Sequence, residues 1–567
     1  MKKIVLLAAL LAVVPLSASQ AAQSPERQVD ALFAKWNRPG MPGAVVEVIR
    51  DGKVVLAKGY GMADLEHNVP MTPGASFTVG SNSKQFTAFS IYLLAQDGKL
   101  SLDDDIRRYL PEVPDFGSAI TIRHLLHHTS GLRDYFDLMF MTGMRVDDVF
   151  TQEDALALVK RQRALNFAPG LHHAYSNTGY LLLGQIVQRV SGMPLAEFAR
   201  VRIFEPLGMK HTRFLHGYGT LVPQRALPYL PSAAGGYDYV AVGDSADGAG
   251  GLVATAGDLA LWDRNFYDGR VGGLALLARM QEPGVLNDGK PFNYASGLVV
   301  DAYRGRRIVE HGGAISGFNA QMTRFPDQHF SVLVLANTST SDLDAGQMTR
   351  RIADIYLDHE QPAPPAPVAQ EKVFREIALD PARLDALVGY YALSPESGID
   401  FTKEDGRLWA QPTGQARIPA FPYGERDFFA KAVTAQFSFD APGADGIVAG
   451  GVLHQNGRDM PARRAARPGP AAERLTKFEG DFYSDELRVV YTVAYRNGGL
   501  VLTYPRGAAL LDVNGKDEHA LASPLGNIQY QCSARDGCTG FTVSNGRVWN
   551  LQFTRVALAA PGMRAAR

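Results

Sequence analysis

The last third of the chain contains the same series of short motifs twice, in the same order. The two copies are offset by 89–92 residues, and each is rich in turn dipeptides and short alternating runs. An ordered repeat of this kind indicates a duplicated domain, and alternating runs between turns indicate antiparallel strands. The sequence therefore predicts two small antiparallel β-barrels or sandwiches. The matching pairs are Gly389-Tyr390-Tyr391 with Gly480-Asp481-Phe482, Asp405-Gly406-Arg407-Leu408 with Asn497-Gly498-Gly499-Leu500, and Asn456-Gly457-Arg458 with Asn545-Gly546-Arg547.

Two stretches rich in Pro and Ala separate the repeats from each other and from the rest of the chain. They span residues 361–368 and 461–470. A chain of 567 residues is long enough for about three domains. We therefore expect a large domain over residues 23–360, a Pro-rich linker over 361–369, and barrel repeats over 370–460 and 470–567.

The composition is that of a globular protein without an electrostatic preference for nucleic acid. Hydrophobic residues make up 46% and charged residues 20%, which excludes a disordered or fibrous chain. Lys and Arg total 57 and Asp and Glu total 58, for a formal net charge of -1. Because no basic block interrupts this balance, we expect no nucleic-acid partner.

The first 22 residues have the pattern of a secretory signal peptide. Lys2 and Lys3 precede an apolar run from Ile4 to Leu16, and Ser19-Gln20-Ala21 offers small residues where a signal peptidase cleaves. We therefore expect a periplasmic or secreted protein. No later run reaches the roughly 18 apolar residues of a spanning helix, so we expect no membrane span.

The chain has two cysteines, Cys532 and Cys538, on either side of the turn dipeptide Asp536-Gly537. In an oxidising compartment this spacing favours a disulfide bond that ties a hairpin. The alternative is a pair of free thiols near the surface. A metal site is not expected here, because no further ligand completes a tetrahedral set.

The large first domain mixes strand and helix periods. Ala44–Ile49 and Val54–Leu56 flank Asp51-Gly52 and predict a hairpin, and Phe330–Ala336 predicts a buried strand. Helical spacing appears in Ser83–Gln96, and again from Tyr180 up to Gly192. Strands at both ends with helices between them predict an α+β domain with one antiparallel sheet.

Ser81-Asn82-Ser83-Lys84 is the motif that points most directly to chemistry. It lies where a turn at Gly80 enters the first predicted helix. The i, i+3 spacing brings the Ser81 hydroxyl and the Lys84 amine to one helical face, at a helix terminus whose N–H groups favour negative charge. The alternative is an N-cap serine followed by a solvated lysine.

Tyr175-Ser176-Asn177 places a phenol and an amide two residues apart. In an extended segment these side chains face the same way, so they can line one cavity as a proton relay and a substrate hydrogen bond. A turn before the helix at Tyr180 explains the pattern equally well.

His311-Gly312-Gly313-Ala314 follows the strand-like run Arg307–Glu310. Two glycines let a substrate backbone approach a strand edge closely. The alternative is a strand that ends in a turn.

Together and in this order, the three motifs resemble those of the serine penicillin-recognising enzymes, which include class C β-lactamases, D,D-peptidases and related esterases and D-aminopeptidases. Four segments match that resemblance, the first of which contains Ser81 and Lys84, and the resemblance extends over about residues 30–355. They are Phe77–Phe86, Gly98–Asp104, Leu125–Leu132 and Gly250–Thr255.

The resemblance implies a role for each matching residue. Ser81 attacks a carbonyl to form an acyl-enzyme, and Lys84 and Tyr175 pass its proton to the leaving group. Asn177, His311 and Gly313 bind the substrate. The backbone N–H groups of Ser81 and Ala314 form the oxyanion hole, where each donor contributes about 3–4 kcal/mol.

One departure from the family affects specificity. Most β-lactamases of this family carry Lys-Thr-Gly where this chain has His311-Gly312-Gly313. A histidine with the reference pKa of about 6.5 is mostly neutral at pH 7, so the permanent cation for a penicillin-like carboxylate is missing. A His-x-Gly element is similar to that of the family's peptidase and esterase branches.

A hydrolase domain followed by two barrels resembles the D-stereospecific aminopeptidases of the family, in which a loop of the last barrel restricts the active site. The segment 505–527 is our candidate for that loop. Asp512, Asp517 or Glu518 would then meet a substrate ammonium, although acids on a hairpin loop are usually only solvated.

We therefore expect an exported serine hydrolase acting on peptides or amides with D-amino acids. One alternative is an esterase or β-lactamase using the same site, and another is a non-catalytic protein that binds or senses cell-wall peptides. The substrate is a small peptide, amide or ester, and no cofactor is implied. His124, His127 and His128 share helical spacing but have no acidic ligand beside them, so we expect no metal site. The oligomeric state does not follow from the sequence.

Overall fold

The computed structural model describes the chain between residues 24 and 557. The gaps within this range are 216, 218, 233, 244–246, 358–373, 375, 394–397, 413–416, 432, 434, 445, 456–457, 466–474, 497–498, 514–519 and 534–536. The predicted signal peptide and the predicted Pro-rich linker lie outside the described residues. We call residues 24–357 the N-terminal domain, 389–465 the first barrel and 480–556 the second barrel.

A six-stranded antiparallel sheet forms the centre of the N-terminal domain. The predicted hairpin and the predicted buried strand are both part of it. The strand after Arg307, in contrast, does not end at the glycines but runs on to Ile315. In sheet order the strands are Val299–Tyr303, Arg306–Ile315, Phe318–Phe325, Phe330–Ala336, Ala44–Arg50 and Lys53–Tyr60.

Other elements of the domain cover both faces of this sheet. Alternate residues of its central strands point to opposite sides and therefore reach different cores. Val46 and Val334 pack under the two terminal helices, Pro25–Phe33 and Ala345–Leu357. Leu333 belongs instead to the core shared with the helical region. The sheet therefore serves as a rigid wall against which the helical region packs.

The helical region lies between residues 80 and 280, and short strands and turns connect its helices. Its longest helices are Lys84–Gln96, Asn177–Ser191 and Ala256–Asp268, and the second ends at Gly192 in a left-handed conformation. The shorter helical segments are Gly80–Ser83, Ile106–Arg108, Ile122–Leu126, Tyr135–Met141, Gln152–Lys160, Leu195–Ala199, Arg200–Phe204, Glu205–Leu207 and Leu274–Met280. The short strands are Met62–Asp64, Val69–Pro70, Phe77–Thr78, Arg213–Phe214, Tyr229–Pro231, Tyr237–Tyr239 and Leu252–Ala254.

The duplicated segments are two closed antiparallel barrels of eight strands each. The predicted α+β domain followed by two barrels is therefore confirmed. The first barrel consists of Gly389–Ala392, Gly398–Glu404, Arg407–Pro412, Ile418–Pro422, Asp427–Ala430, Ala435–Phe439, Gly450–Gln455 and Arg458–Ala465. The second consists of Gly480–Ser484, Val489–Arg496, Gly499–Tyr504, Gly507–Val513, Ala520–Ser523, Gly526–Ser533, Gly537–Ser544 and Leu551–Val556.

The boundary between the barrels differs from the expected one. The last strand of the first barrel runs to Ala465, past the predicted end at residue 460. Ala462 is buried there between the exposed Pro461 and Arg463, which is the alternation of a strand. The Pro and Arg content of this segment is typical of a linker, so composition predicted a domain boundary where the alternation indicates a strand.

The second barrel packs directly on the N-terminal domain. Buried residues of both belong to one hydrophobic cluster, whereas the first barrel has a core of its own. The Tyr491 hydroxyl of the second barrel donates to the Met141 carbonyl oxygen at 2.6 Å. Within this barrel Cys532 and Cys538 are joined by a disulfide bond between adjacent strands. In the described residues, no helix has both the length and the apolar character needed to cross a membrane.

Candidate active site

Ser81 and Lys84 lie together at the start of the helix Lys84–Gln96. The turn Gly80–Ser83 leads into this helix, and Lys84 Nζ lies 3.1 Å from Ser81 Oγ. Lys84 is fully buried, whereas Ser81 is partly open to a cleft. The alternative of a solvated lysine is therefore wrong.

The Lys84 ammonium joins three segments of the N-terminal domain. It donates to Asn177 Oδ1 at 2.8 Å and to the Ala249 carbonyl oxygen at 2.7 Å. It also lies 4.9 Å from the centre of the Tyr175 ring. The structure thus brings together the first two sequence motifs, which are about ninety residues apart in the chain.

Tyr175 keeps a neutral phenol beside Ser81. Burial raises the pKa of Tyr175, whereas a hydrogen bond with Ser81 and the charge of Arg547 act in the opposite direction. A neutral phenol next to the serine hydroxyl can donate a proton or relay one, as the resemblance implies.

The third motif forms an open strand edge opposite Ser81. The strand Val299–Tyr303 pairs only with residues 306–310 of its neighbour, so His311–Ile315 lie beyond that pairing. Gly80 has a φ of 52°, and a Cβ added there would lie 2.8 Å from Ala314 N. A Cβ on Gly313 would lie 2.8 Å from Ser81 N and 2.0 Å from the Val79 carbonyl oxygen. The glycines therefore allow the Ser81 and Ala314 amides to approach each other, which is the geometry required of the predicted oxyanion hole.

His311 is buried and neutral. Its Nδ1 lies 2.6 Å from the Gly312 carbonyl oxygen and therefore carries the proton, so Nε2 accepts from the Tyr294 hydroxyl at 3.0 Å. Burial and the charge of Lys84 lower the pKa of His311 to about 4. His311 is thus held as a neutral hydrogen-bonding group. Tyr294 was missed in the sequence, because no local pattern connects it to His311.

Asp134 is a second residue that sequence reasoning missed. This fully buried carboxylate accepts from the backbone N–H of Asn177 at 2.5 Å and from that of Phe136 at 2.9 Å. It therefore caps the helix Tyr135–Met141 and holds the start of the helix that carries Asn177. An Asp before an apolar run indicates a helix cap but not proximity to an active site.

These residues line a cleft with a volume of ≈ 570 Å³. Ser81, Tyr175, Asn177, His311, Gly313 and Ala314 all contribute to its wall, together with Arg547 of the second barrel. The second barrel thus reaches the cleft through the turn 545–550, and the described residues of the segment 505–527 are not part of the cleft wall. Pro505 and Arg506 contact Gly143 and Asp148 of the N-terminal domain instead. The side chains of Asp512, Asp517 and Glu518 lie outside the described part of the chain.

The three histidines of the segment 124–128 face different partners. His124 Nδ1 accepts from Thr121 N, His127 Nδ1 lies 3.4 Å from the Tyr294 carbonyl oxygen, and His128 Nδ1 accepts from Ser176 N. The His128 ring packs 4.2 Å from that of Tyr175. His127 and His128 therefore contact Tyr294 and the segment that carries Tyr175, whereas His124 caps its own helix.

The sequence profile of the beta-lactamase family matches residues 27–357, more than half of the chain. The chain belongs to the beta-lactamase family. It is 29% identical over 431 residues to Penicillin-binding protein 4* of Bacillus subtilis (strain 168), which covers 74% of this chain and 94% of that relative. It is 31% identical over 312 residues to a D-aminopeptidase of Gluconobacter oxydans (strain 621H), and the match covers 55% of this chain and 58% of that relative.

Among solved structures, the chain is similar to the D-amino acid amidase from Ochrobactrum anthropi SV3, crystallised with L-phenylalanine amide. The identity is 26% and the TM-score 0.51, over 59% of this chain and 99% of the amidase. The predicted family and the predicted class of enzyme, a serine hydrolase, are thereby confirmed. The roles of the individual residues stay predictions that the geometry of the cleft supports.

Proposed function

We propose that this protein is an exported peptidase or amidase that hydrolyses peptides and amides containing D-amino acids through an acyl-enzyme on Ser81. The observation that carries the proposal is the placement of Ser81 Oγ 3.1 Å from the buried Lys84 Nζ, in a cleft walled by Tyr175 and the open edge of residues 311–315. D-aminopeptidases and a D-amino acid amidase among the relatives support the substrate class.

The proposed reaction requires the form of the protein in which Lys84 has lost a proton, so that its amine accepts the proton of Ser81 Oγ as this oxygen attacks the substrate carbonyl carbon. The oxyanion is bound by the N–H groups of Ser81 and Ala314. The proton passes through Tyr175 to the leaving amine as the amide bond breaks. Water then attacks the ester, and the proton it loses returns to Ser81 as the acid is released.

Intact-mass spectrometry of the protein lacking residues 1–22, mixed with D-alaninamide or a D-alanine ester, tests this proposal. We expect a transient adduct of one D-alanyl group and release of D-alanine, both absent in Ser81→Ala. Comparison of D- and L-phenylalanine amides then measures stereospecificity. Faster turnover of short esters or nitrocefin would favour the esterase or β-lactamase alternative. An adduct that never turns over, or no adduct with any of these compounds, would favour a binding role.

Export is a separate part of the proposal and rests on the signal-peptide pattern of residues 1–22. Fractionation of cells that express the full chain is the test. We expect the protein in the periplasm or the medium, shortened by about 22 residues, and a full-length cytoplasmic protein would contradict export.

A further inference from the structure

Arg547 enters the cleft on a turn of the second barrel that is held in place on both sides. Asn545 Oδ1 accepts from the backbone N–H groups of Arg547 and Val548 at 2.9 and 2.8 Å. Asn166 of the N-terminal domain donates from Nδ2 to the Arg547 carbonyl oxygen at 2.9 Å and accepts from Trp549 N at 2.8 Å. The backbone at Arg547 is therefore fixed by hydrogen bonds within the turn and across the domain boundary.

The Arg547 side chain faces the cleft and forms no ion pair with a described residue. Its guanidinium lies 5.1 Å from the centre of the Tyr175 ring, and it lines the cleft beside Tyr135 and Phe136. Its charge acts on the buried Asp137, whose pKa burial and Asp134 raise to about 6 while Arg547 acts in the opposite direction. Five donors of the guanidinium are thus available to a ligand.

Arg547 is the positively charged side chain of the cleft wall. His311 of the strand motif is neutral, because burial and the charge of Lys84 lower its pKa to about 4. Arg547 is the one Lys or Arg among the described residues that line the cleft. Asp344, also in that lining, accepts from the backbone of Gln347 at 2.7 Å. An anionic group at the described cleft wall therefore meets Arg547, because Lys84 lies buried behind Ser81 and already donates to Asn177 Oδ1 and the Ala249 carbonyl oxygen.

We propose that Arg547 binds a carboxylate of the substrate, so that the second barrel determines specificity for anionic peptides. The planar guanidinium matches a carboxylate with two parallel hydrogen bonds. This inference rests on the proposed function and specifies its substrate class. The carboxylate belongs either to the leaving residue at a free C-terminus or to the acyl part of the substrate.

Two pairs of substrates distinguish these sources. In the first pair, D-alanyl-D-alanine has a carboxylate on the leaving residue and its C-terminal amide does not. In the second pair, the p-nitroanilide of N-succinyl-D-alanine has a carboxylate on the acyl part and that of N-acetyl-D-alanine does not. In one pair we expect kcat/KM to favour the anionic member by about 10- to 100-fold, the range of a hydrogen-bonded charged group. We expect Arg547→Ala to remove that preference, measured as the ratio of the two kcat/KM values within a pair, and Arg547→Lys to keep part of it.

Arg506→Ala is the matched control, because it removes an equal charge from the same barrel at its contact with Asp148, outside the cleft lining. We expect Arg506→Ala to keep the preference for the anionic substrate.

The proposal is overturned if Arg547→Ala lowers kcat/KM equally for both members of each pair, or lowers it for neither. If wild type turns over neither these four compounds nor the D-alanine amide and ester named above, the proposed hydrolase function fails. Calorimetric Kd values of the same pairs for Ser81→Ala, with and without Arg547→Ala, then decide the carboxylate site separately.

Discussion

The Arg133 guanidinium and the Glu486 carboxylate form a buried ion pair between the N-terminal domain and the second barrel, with Arg133 Nη1 3.2 Å from Glu486 Oε2. Arg133 also donates to the Trp549 carbonyl oxygen at 3.0 Å, at the end of the turn that carries Arg547. The next residue, Asp134, holds Asn177 in the cleft. Two adjacent residues therefore connect the docking of the barrel to the geometry of the candidate active site.

Glu486→Gln is expected to destabilise the protein by about 3–5 kcal/mol, because it leaves the Arg133 charge buried without its partner. The side chains are only 2% and 6% exposed, so solvent offers little compensation. Denaturant unfolding and thermal midpoints measure the change. Asp485→Asn is the control, since its ion pair with Arg163 is exposed and such pairs contribute about 0–1 kcal/mol. Equal effects of the two variants would show that the buried pair does not stabilise the docking.

Gly313→Ala is expected to lower kcat by about 10²–10³-fold, the effect of losing one oxyanion donor. The added Cβ would lie 2.0 Å from the Val79 carbonyl oxygen, so the strand and the turn before Ser81 must separate. Steady-state kinetics with a D-amino acid amide measures the loss. Gly257→Ala has open space around the new Cβ and lies in a helix, so its activity is unchanged and its stability equal or higher. Wild-type activity in Gly313→Ala would contradict the close approach of these segments.

Asp134 variants separate its helix cap from its contact with Asn177. Asn caps a helix as well as Asp does, so Asp134→Asn is expected to keep most of the thermal stability. It loses the charged hydrogen bond to Asn177 N, and we expect kcat to fall by roughly 10-fold, about 1.4 kcal/mol of lost positioning. Asp134→Ala loses both contacts and unfolds at a lower temperature. If Asp134→Asn is fully active, the charge of Asp134 has no positioning role.

The neutral state of His311 makes stability depend on pH in a defined direction. Its pKa is lowered from 6.5 to about 4 in the folded protein, so the unfolded chain binds more protons between these values. Its contribution to stability is therefore complete above about pH 6.5 and is lost as the pH falls towards 4, by about 3 kcal/mol in total. His127 acts in the same direction and range.

Unfolding free energies measured from pH 7.5 to 4 in wild type and His311→Gln test this dependence. We expect a smaller slope in the variant, with the remainder due to His127 and the other buried histidines. Because His311 stays neutral above about pH 5, kcat/KM of wild type is expected to show no step at pH 6.5 from this residue. Identical slopes in the two proteins would place the titration elsewhere.

Local patterns predicted the parts of the site that lie within one segment. Ser81 and Lys84 are three residues apart, so the turn and helix that contain them bring hydroxyl and amine together without help from the rest of the chain. Tyr175 with Asn177, and His311 with Gly313, are likewise close in sequence, and the family resemblance placed the three motifs in one cleft. Composition alone gave a wrong prediction for Pro461–Ala465, because its Pro and Arg content indicated a linker where the chain forms the end of a strand.

The sequence by itself therefore determined the α+β domain and the two duplicated barrels, because periodicity and repeats are local properties. The Ser81, Lys84 and Tyr175 set followed from the resemblance of three short motifs to the family. Only the tertiary structure decided that Arg547 lies over Tyr175, that Arg133 pairs with Glu486 and that Tyr294 donates to His311. The first two contacts join separate domains, and they depend on how two folded surfaces fit. The Tyr294 contact depends on how a loop folds back onto the sheet. No spacing along the chain encodes any of these three contacts.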